Sequence, residues 1–560
     1  MPTKRRAIAD LSLLLATLVL CTLLRAHALG ATPATRSPNF VIFLADDMGF
    51  SDAGCYGGEI ATPNLDALAA HGIRYTQFYN TARCWPTRAA LLTGYYAQQV
   101  NFDSLPDVKT SDGRRRPPWA HLLSEYLRPL GYRNYHSGKW HLDSSPLKCG
   151  FDRSYALLDY DHNFSPKHHR LDDRPLPPVQ IGEGYYSAVA IADRAIEFLK
   201  EHQQKHTDHP FFSYVAFTVP HFPLQAPPKD IARYKDRYNV GWDKIRYDRW
   251  QRIQNLLHLP GELSAIEPTI GTPYRSAPAV ERLGPVEIWR ETPWNELSAE
   301  KKIFQAHKME IHAAMITCMD RQIGRVLDQV HAMHADDNTL VLFFSDNGAS
   351  AEIAMRGDGH DSSAPQGSAA TFLSLGPGWS NAANTPFRRH KIWVHEGGIA
   401  TPLIARWPAG IPAAGELRHA VGHVIDFAPT ILKLAGGEWP KESDGTKLPP
   451  HPGRDLVPTF KQDVAIDRDC LWWLHEKNRA IRQGDWKLVA ARDEQWQLYD
   501  LANDRAENID LADKYPEKAK ELSDLWQKRL AEFQQLARKE APEKPKPRMH
   551  AAKKKVAMSY

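Results

Sequence analysis

The sequence predicts an α/β fold: a large, mostly parallel sheet sandwiched by helices, with a smaller C-terminal antiparallel sheet and a packed helix. Three observations predict it. Apolar runs of strand length, rich in β-branched and aromatic residues, stop abruptly at polar residues over 40–45, 211–219 and 339–345, the pattern of strands buried on both faces. Stretches with helical spacing alternate with them, as in layered α/β folds. After about Phe460 the pattern changes to short strands joined by turns, then one long amphipathic helix.

Taken in order, Lys4, Arg5 and Arg6 precede an apolar run from Leu11 to Leu24 and the small residues Ala26, Ala28, Gly30 and Ala31. This predicts a secretory signal over 1–30 and a periplasmic or secreted product. The run is short for a bilayer span, so no stable membrane insertion is expected after cleavage. The first strand ends in Asp46–Asp47. Thr62–Pro63 then supplies a cap and a first-turn proline for a helix over 64–71. A helix over 119–130 precedes a strand at 132–135 that leads into Gly138–Lys139–Trp140–His141. A helix over 186–200 precedes the strand ending in Pro220–His221, and a helix over 300–331 precedes the strand ending in Asp346–Asn347–Gly348.

The catalytic domain is expected over 39–460 and a C-terminal subdomain over 461–540, with short strands near 479–482, 486–488 and 496–501. Its helix over 516–539 carries Leu522, Leu525, Trp526, Leu530 and Phe533. Residues 541–560, rich in lysine and proline, read as a disordered, solvated basic tail.

The charge balance, 70 Lys and Arg against 66 Asp and Glu, gives no reason to expect nucleic acid or an anionic membrane as partner. Cys55, Cys149, Cys318 and Cys470 are widely spaced and carry neither a disulfide framework nor a metal-ligand signature.

Two strand ends supply Asp46, Asp47, Asp346 and Asn347. Three carboxylates and an amide oxygen suit one hard cation, calcium before magnesium, better than zinc. Each pair taken alone also reads as a cap or turn former. Arg88, Lys139 and Lys391 are candidates to cradle a sulfate or phosphate, with His141 and His221 as donors or acids, because gathered positive charge stabilises a transferring anion. Glu396–Gly397–Gly398 reads as a tight turn supporting Lys391, and no phosphate-loop motif occurs. Tyr234, Tyr238, Trp242, Tyr247 and Trp250, within 225–300, either wall a substrate entrance or pack an excursion onto the main domain. His162, His168 and His169 read as an exposed polar loop.

Cys84–Trp85–Pro86–Thr87–Arg88 runs into Leu91–Leu92–Thr93–Gly94. Alone, the cysteine reads as a buried small hydrophobe or an activated thiol. The whole segment resembles the signature of the type I sulfatases, the arylsulfatase-like bacterial branch of the alkaline-phosphatase-like superfamily, and the resemblance extends over 39–539. It implies that a formylglycine-generating enzyme oxidises Cys84 to formylglycine. It further implies that Asp46, Asp47, Asp346, Asn347 and the modified Cys84 hold one calcium ion. Arg88 would orient the modified side chain, and Lys139, His141, His221 and Lys391 would contact the sulfate of a sulfated small molecule or glycan. The hydrated aldehyde would attack sulfur, His221 with Lys391 would protonate the leaving alcohol or phenol, and His141 would assist sulfate release. Two positions depart from the pattern. Thr87 replaces a frequent serine and keeps the hydroxyl, whereas Ala400 stands where arginine is common. Alternative readings are a phosphonate monoester or phosphodiester hydrolase using the same modified cysteine, and a non-catalytic exported binding protein.

Overall fold

β1 (Asn39–Asp46) is apolar from Phe40 to Ala45 because helices cover both of its faces: Val41, Phe43 and Ala45 enter one core, Phe40, Ile42 and Leu44 the other. This is a computed structural model describing residues 37–108, 115–274, 281–356, 359–443 and 445–540. The expected signal and basic tail lie outside the described residues.

The central sheet continues with β2 (Ile73–Tyr75), β3 (Arg133–Lys139), β4 (Arg153–Leu157), β5 (His169–Leu171), β6 (Arg174–Pro175), β7 (Phe211–Pro220), β8 (Thr339–Ser345), β9 (Leu403–Arg406) and β10 (Glu416–Arg418). Across the sheet the order is β10-β2-β9-β8-β1-β7-β3-β4-β5-β6. The centre, from β8 through β1, β7 and β3 to β4, is parallel. Antiparallel pairing enters at β9 on one side and at β5 and β6 on the other.

Register determines what emerges at the carboxyl edge. β1 and β8 run in step from Asn39 opposite Thr339 to Ala45 opposite Ser345, so Asp46 and Asp346 leave the sheet side by side. The β1–β7 register shifts after Leu44 and sets Asp46 opposite Pro220, which delivers His221 to the same edge. β3 ends there too, at Lys139. Polar groups beyond the ends of parallel strands are the usual site location in such sheets.

The helices are α1 (Pro63–Ala70), α2 (Cys84–Thr93), α3 (Ser187–Lys205), α4 (Trp242–Leu257), α5 (Ala299–Ala332), α6 (Gly376–Ala383), α7 (Phe427–Leu434) and α8 (Pro516–Glu540). Side chains of α1, α3, α4 and α5 fill one core; those of α2, α7 and α8 fill the other. α1 starts as expected, but Thr62 makes no cap bond to it. Its first amides donate instead to Asp320 of α5, Asn64 N at 3.2 Å and Leu65 N at 2.8 Å from the carboxylate oxygens. The expected helix over 119–130 shortens to Leu123–Leu127 and one 3₁₀ turn, its start fixed by Leu122 N donating to Glu125 Oε2 at 2.7 Å.

The C-terminal sheet is an antiparallel meander of β11 (Leu471–His475), β12 (Asn478–Gln483), β13 (Trp486–Ala490) and β14 (Gln497–Asp500). α8 packs on it through Trp526, stacked on Trp472 with centroids 5.6 Å apart. These strands belong to the same compact unit as the central sheet. A buried charge cluster joins the two. Lys487 of β13 reaches Glu396 Oε1 at 2.9 Å and Glu507 Oε1 at 2.8 Å, and Arg505 and Tyr79 bind the other oxygen of Glu396.

Four of the aromatic residues noted within 225–300 serve packing. Tyr234, Tyr238, Trp242 and Trp250 are buried and Tyr247 is exposed. Trp242 meets Trp294 and Trp379 edge-on. The histidine loop is only partly exposed: His169 is buried in β5, bonded to Pro177 O at 2.8 Å, while His168 is at the surface.

Candidate active site

β1 turns sharply at Asp47, whose φ of 66° is one that aspartate tolerates better than most residues. The turn brings Asp47 N to 3.4 Å from Asp346 Oδ1, and Asn347 Nδ2 donates to Asp47 Oδ1 at 2.7 Å. The 346–348 turn docks directly on the 396–398 turn, with Gly348 N donating to Gly398 O at 3.0 Å. A Cβ on Gly348 would lie 1.9 Å from Gly397 O, so this approach requires glycine. The expected tight turn is one helical turn, Glu396–Ile399, and Gly397 N donates to Arg388 O at 2.9 Å, tying it to the segment that carries Lys391.

The cations interleave with the carboxylates. Arg88, fully buried on α2, donates to Asp346 Oδ2 from Nε at 3.1 Å and Nη2 at 2.8 Å, and to Lys139 O from Nη1 at 2.7 Å. Lys139 Nζ lies 2.5 Å from Asp46 Oδ2. Lys391 Nζ lies 2.7 Å from Asp47 Oδ1 and 3.3 Å from Glu352 Oε2. Burial opposes charge on Lys391, but Asp47 and Glu352 outweigh it and hold the ammonium above its usual range. Burial raises Asp46, yet the Lys139 and Arg88 cations bring it below the ordinary carboxylate value. Asp346 goes the other way: burial and the adjacent Asp46 charge push it up to about 7.

His221 is buried, and its Nδ1 donates to Phe222 O at 2.5 Å. In the neutral ring that tautomer leaves a lone pair on Nε2, which lies 3.8 Å from Asp47 Oδ2. Burial and the Lys391 cation hold its pKa well below the ordinary histidine value.

These residues fit a hard divalent cation. Asp46 Oδ1 and Asn347 Oδ1 are buried and find no hydrogen-bond partner among the described residues. Donor atoms of Asp46, Asp47 and His221 lie within 4.8 Å of one another. Closely spaced carboxylates with idle oxygens call for a counter-charge of high coordination number, as calcium provides.

Cys84 opens α2 and is 3% exposed. A negative charge at this position would attract Arg88, Lys139 and Lys391. Thr87 keeps the expected hydroxyl role, accepting from Thr81 N at 3.1 Å. His141, with φ 57°, stands beside the rings of Trp85 and Tyr160, at centroid distances of 5.8 and 5.3 Å. The expected residues thus collect around one edge of the sheet. Sequence reading missed Glu352, which pairs with both Lys391 and Arg83, and the place of His221 among the potential ligands. A lone glutamate in a loop carries no motif; its position five residues after Asn347 is the signal that could have found it.

Residues 38–437 match the family model Sulfatase, and 388–536 match N-sulphoglucosamine sulphohydrolase, C-terminal. The chain belongs to the sulfatase family. A Schizosaccharomyces pombe protein described as an uncharacterized sulfatase is 32% identical over 88% of this chain and 93% of its own. The arylsulfatase of Klebsiella aerogenes is 30% identical over 71% of this chain and 87% of its own. The crystal structure of Ps i-CgsB in complex with k-i-k-neocarrahexaose shares the fold, with a TM-score of 0.61 at 22% identity over 91% of this chain and 98% of that one. As a sulfatase, the chain is a sulfuric ester hydrolase that works with calcium and a formylglycine nucleophile. Its substrate carries a sulfate ester, and its maturation calls on a formylglycine-generating enzyme. Among the described residues no helix is long and apolar enough to cross a membrane.

Proposed function

We propose that Cys84 is the residue converted to formylglycine, and that this site hydrolyses sulfate esters of small molecules or glycans in the periplasm or outside the cell. The observation that carries the reading is the convergence of Cys84, three carboxylates and three buried cations at one sheet edge. Formylglycine supplies a geminal diol, one hydroxyl to attack sulfur and the other to break the resulting bond. Asp46, Asp47, Asp346 and Asn347, with His221 beside them, would hold calcium, which supplies positive charge toward the sulfate oxygens.

The chain's own groups do the rest. Arg88 ties the β8 end to the β3 end through Asp346 and Lys139 O, so the ligand set and the sulfate-facing lysine keep one geometry. Lys139 and Lys391 stay cationic despite burial and match the charge that develops on sulfate. Lys391 is the proton donor toward the leaving oxygen that this geometry favours, because the neutral His221 tautomer presents a lone pair. His221 becomes a donor only after protonation, which an arriving sulfate anion would promote. His141 accepts the proton whose loss expels sulfate.

The N-terminal basic and apolar run supports export, and relatives named arylsulfatase and N-acetylglucosamine-6-O-sulfatase support both substrate sizes. The test is peptide mass spectrometry across Cys84, with hydrolysis of matched aryl sulfate and aryl phosphate esters, with and without calcium. Formylglycine and calcium-dependent preference for sulfate are expected. Active protein holding only unmodified cysteine, or a preference for phosphate, would overturn the assignment.

A further inference from the structure

Arg83, the residue immediately before Cys84, has no part in the machinery above. It is 7% exposed and holds the N-cap position of α2 in extended backbone. Its guanidinium lies between two rings, with Cζ 5.0 Å from the Trp85 centroid and 5.3 Å from the Tyr274 centroid. Nη2 lies 3.4 Å from Glu352 Oε1. Nε and Nη1 are buried and have no acceptor among the described residues.

Keeping donors of a buried cation idle is costly, and holding Glu352 in place would use only Nη2. The surroundings show which acceptor is absent. On one side Glu352 leads to Lys391; on the other Trp85 leads to His141, so Arg83 is bracketed by two residues assigned above to the sulfate. Glu352 also accepts from Ser350 Oγ at 3.0 Å and pairs with Lys391, which has a second carboxylate partner in Asp47, so Glu352 is already committed on both sides and leaves the idle donors of Arg83 unanswered. A planar guanidinium held between aromatic faces is already oriented for an oxyanion. Tyr274, half exposed and donating its hydroxyl to Glu476, forms the outer wall.

We propose that Arg83 binds a second acidic group, a carboxylate or a further sulfate, on the same molecule that presents the scissile sulfate. The substrate class is then a polyanionic sulfate ester, such as a sulfated sugar that also carries an acid or a second sulfate. This rests on the sulfatase reading of the site and narrows it.

The test is calorimetric titration of full-length, calcium-loaded Cys84→Ala protein, which cannot turn over, with phenyl sulfate, 3-carboxyphenyl sulfate, 4-carboxyphenyl sulfate and 1,3-phenylene disulfate. At least one doubly charged ligand should bind about tenfold or more tightly than phenyl sulfate, the range of a charge-assisted hydrogen bond. The carboxylate and disulfate arms tell the two acids apart. Adding Arg83→Met should bring that ratio close to one, and Arg83→Lys should retain part of it. If Arg83→Met does not fold, the Arg83→Lys ratio decides, since lysine keeps the charge without the planar donor set. Binding of phenyl sulfate with no preference for any dianion, or an unchanged ratio in the variants, would overturn the Arg83 assignment alone. Failure of every ligand, phenyl sulfate included, would overturn the sulfate site with it.

Discussion

Calcium affinity should depend steeply on pH below neutrality, and Asp346 sets the window. In the metal-free protein its carboxyl is pushed up to about 7 by burial and Asp46, even though Arg88 donates to it twice. Calcium needs the ionised form, so each ion bound expels whatever proton Asp346 carries. With one such proton, apparent affinity falls by a factor of 1 + 10^(7 − pH), about 1.1-fold at pH 8, about 11-fold at pH 6 and about 100-fold at pH 5. The same group affects stability. A carboxyl raised above its ordinary 3.8 stabilises the metal-free fold fully below that value, and the contribution is lost as pH rises through about 7. The gap in melting temperature between calcium-loaded and metal-free protein should therefore widen from pH 5 to pH 8. Calorimetric calcium titrations in two buffers of different protonation enthalpy measure both affinity and proton release. A flat affinity between pH 8 and pH 5 with no proton released would refute the reasoning, and Asp346→Asn should abolish the pH dependence along with most of the affinity.

The other predictions are more local. Cys84→Ala should remove turnover of aryl sulfate while leaving the thermal midpoint unchanged; near-normal hydrolysis by the purified variant would exclude the nucleophile. Lys391→Met should lower kcat by about 10²–10⁴-fold, the usual span for a lost general acid, and more for an alkyl sulfate than for 4-nitrophenyl sulfate; equal losses would show that Lys391 only binds. Lys487→Met should cost about 3–5 kcal/mol in urea unfolding, because it leaves Glu396 and Glu507 buried without their shared cation. An unchanged midpoint would mean that water replaces the ammonium.

What the sequence made legible was whatever depends on neighbours in the chain. β1, β7 and β8 are continuous apolar runs because both faces are covered, and their polar ends mark the site directly. The short outer strands Ile73–Tyr75 and Glu416–Arg418 are three residues long and carry no usable periodicity. The Asp320 cap on α1 acts across 256 and 255 positions, so Thr62 looked sufficient. Glu352 and Arg83 belong to the same class: each is an unremarkable charge in sequence, and only folding gives one its two cations and the other its two rings. The tautomer of His221 was equally hidden, since it depends on a carbonyl brought close by the turn after β7.

The burial of Cys84 sets an order of events in the life of each molecule. A side chain 3% exposed at the first turn of a helix sealed against the sheet is out of reach of a second enzyme. On the proposed role of Cys84, its oxidation would come while the segment is still an extended peptide, before α2 closes over it. A chain that folded first would then be a finished protein without its nucleophile. The fraction of active molecules in a preparation would then record how synthesis and oxidation competed.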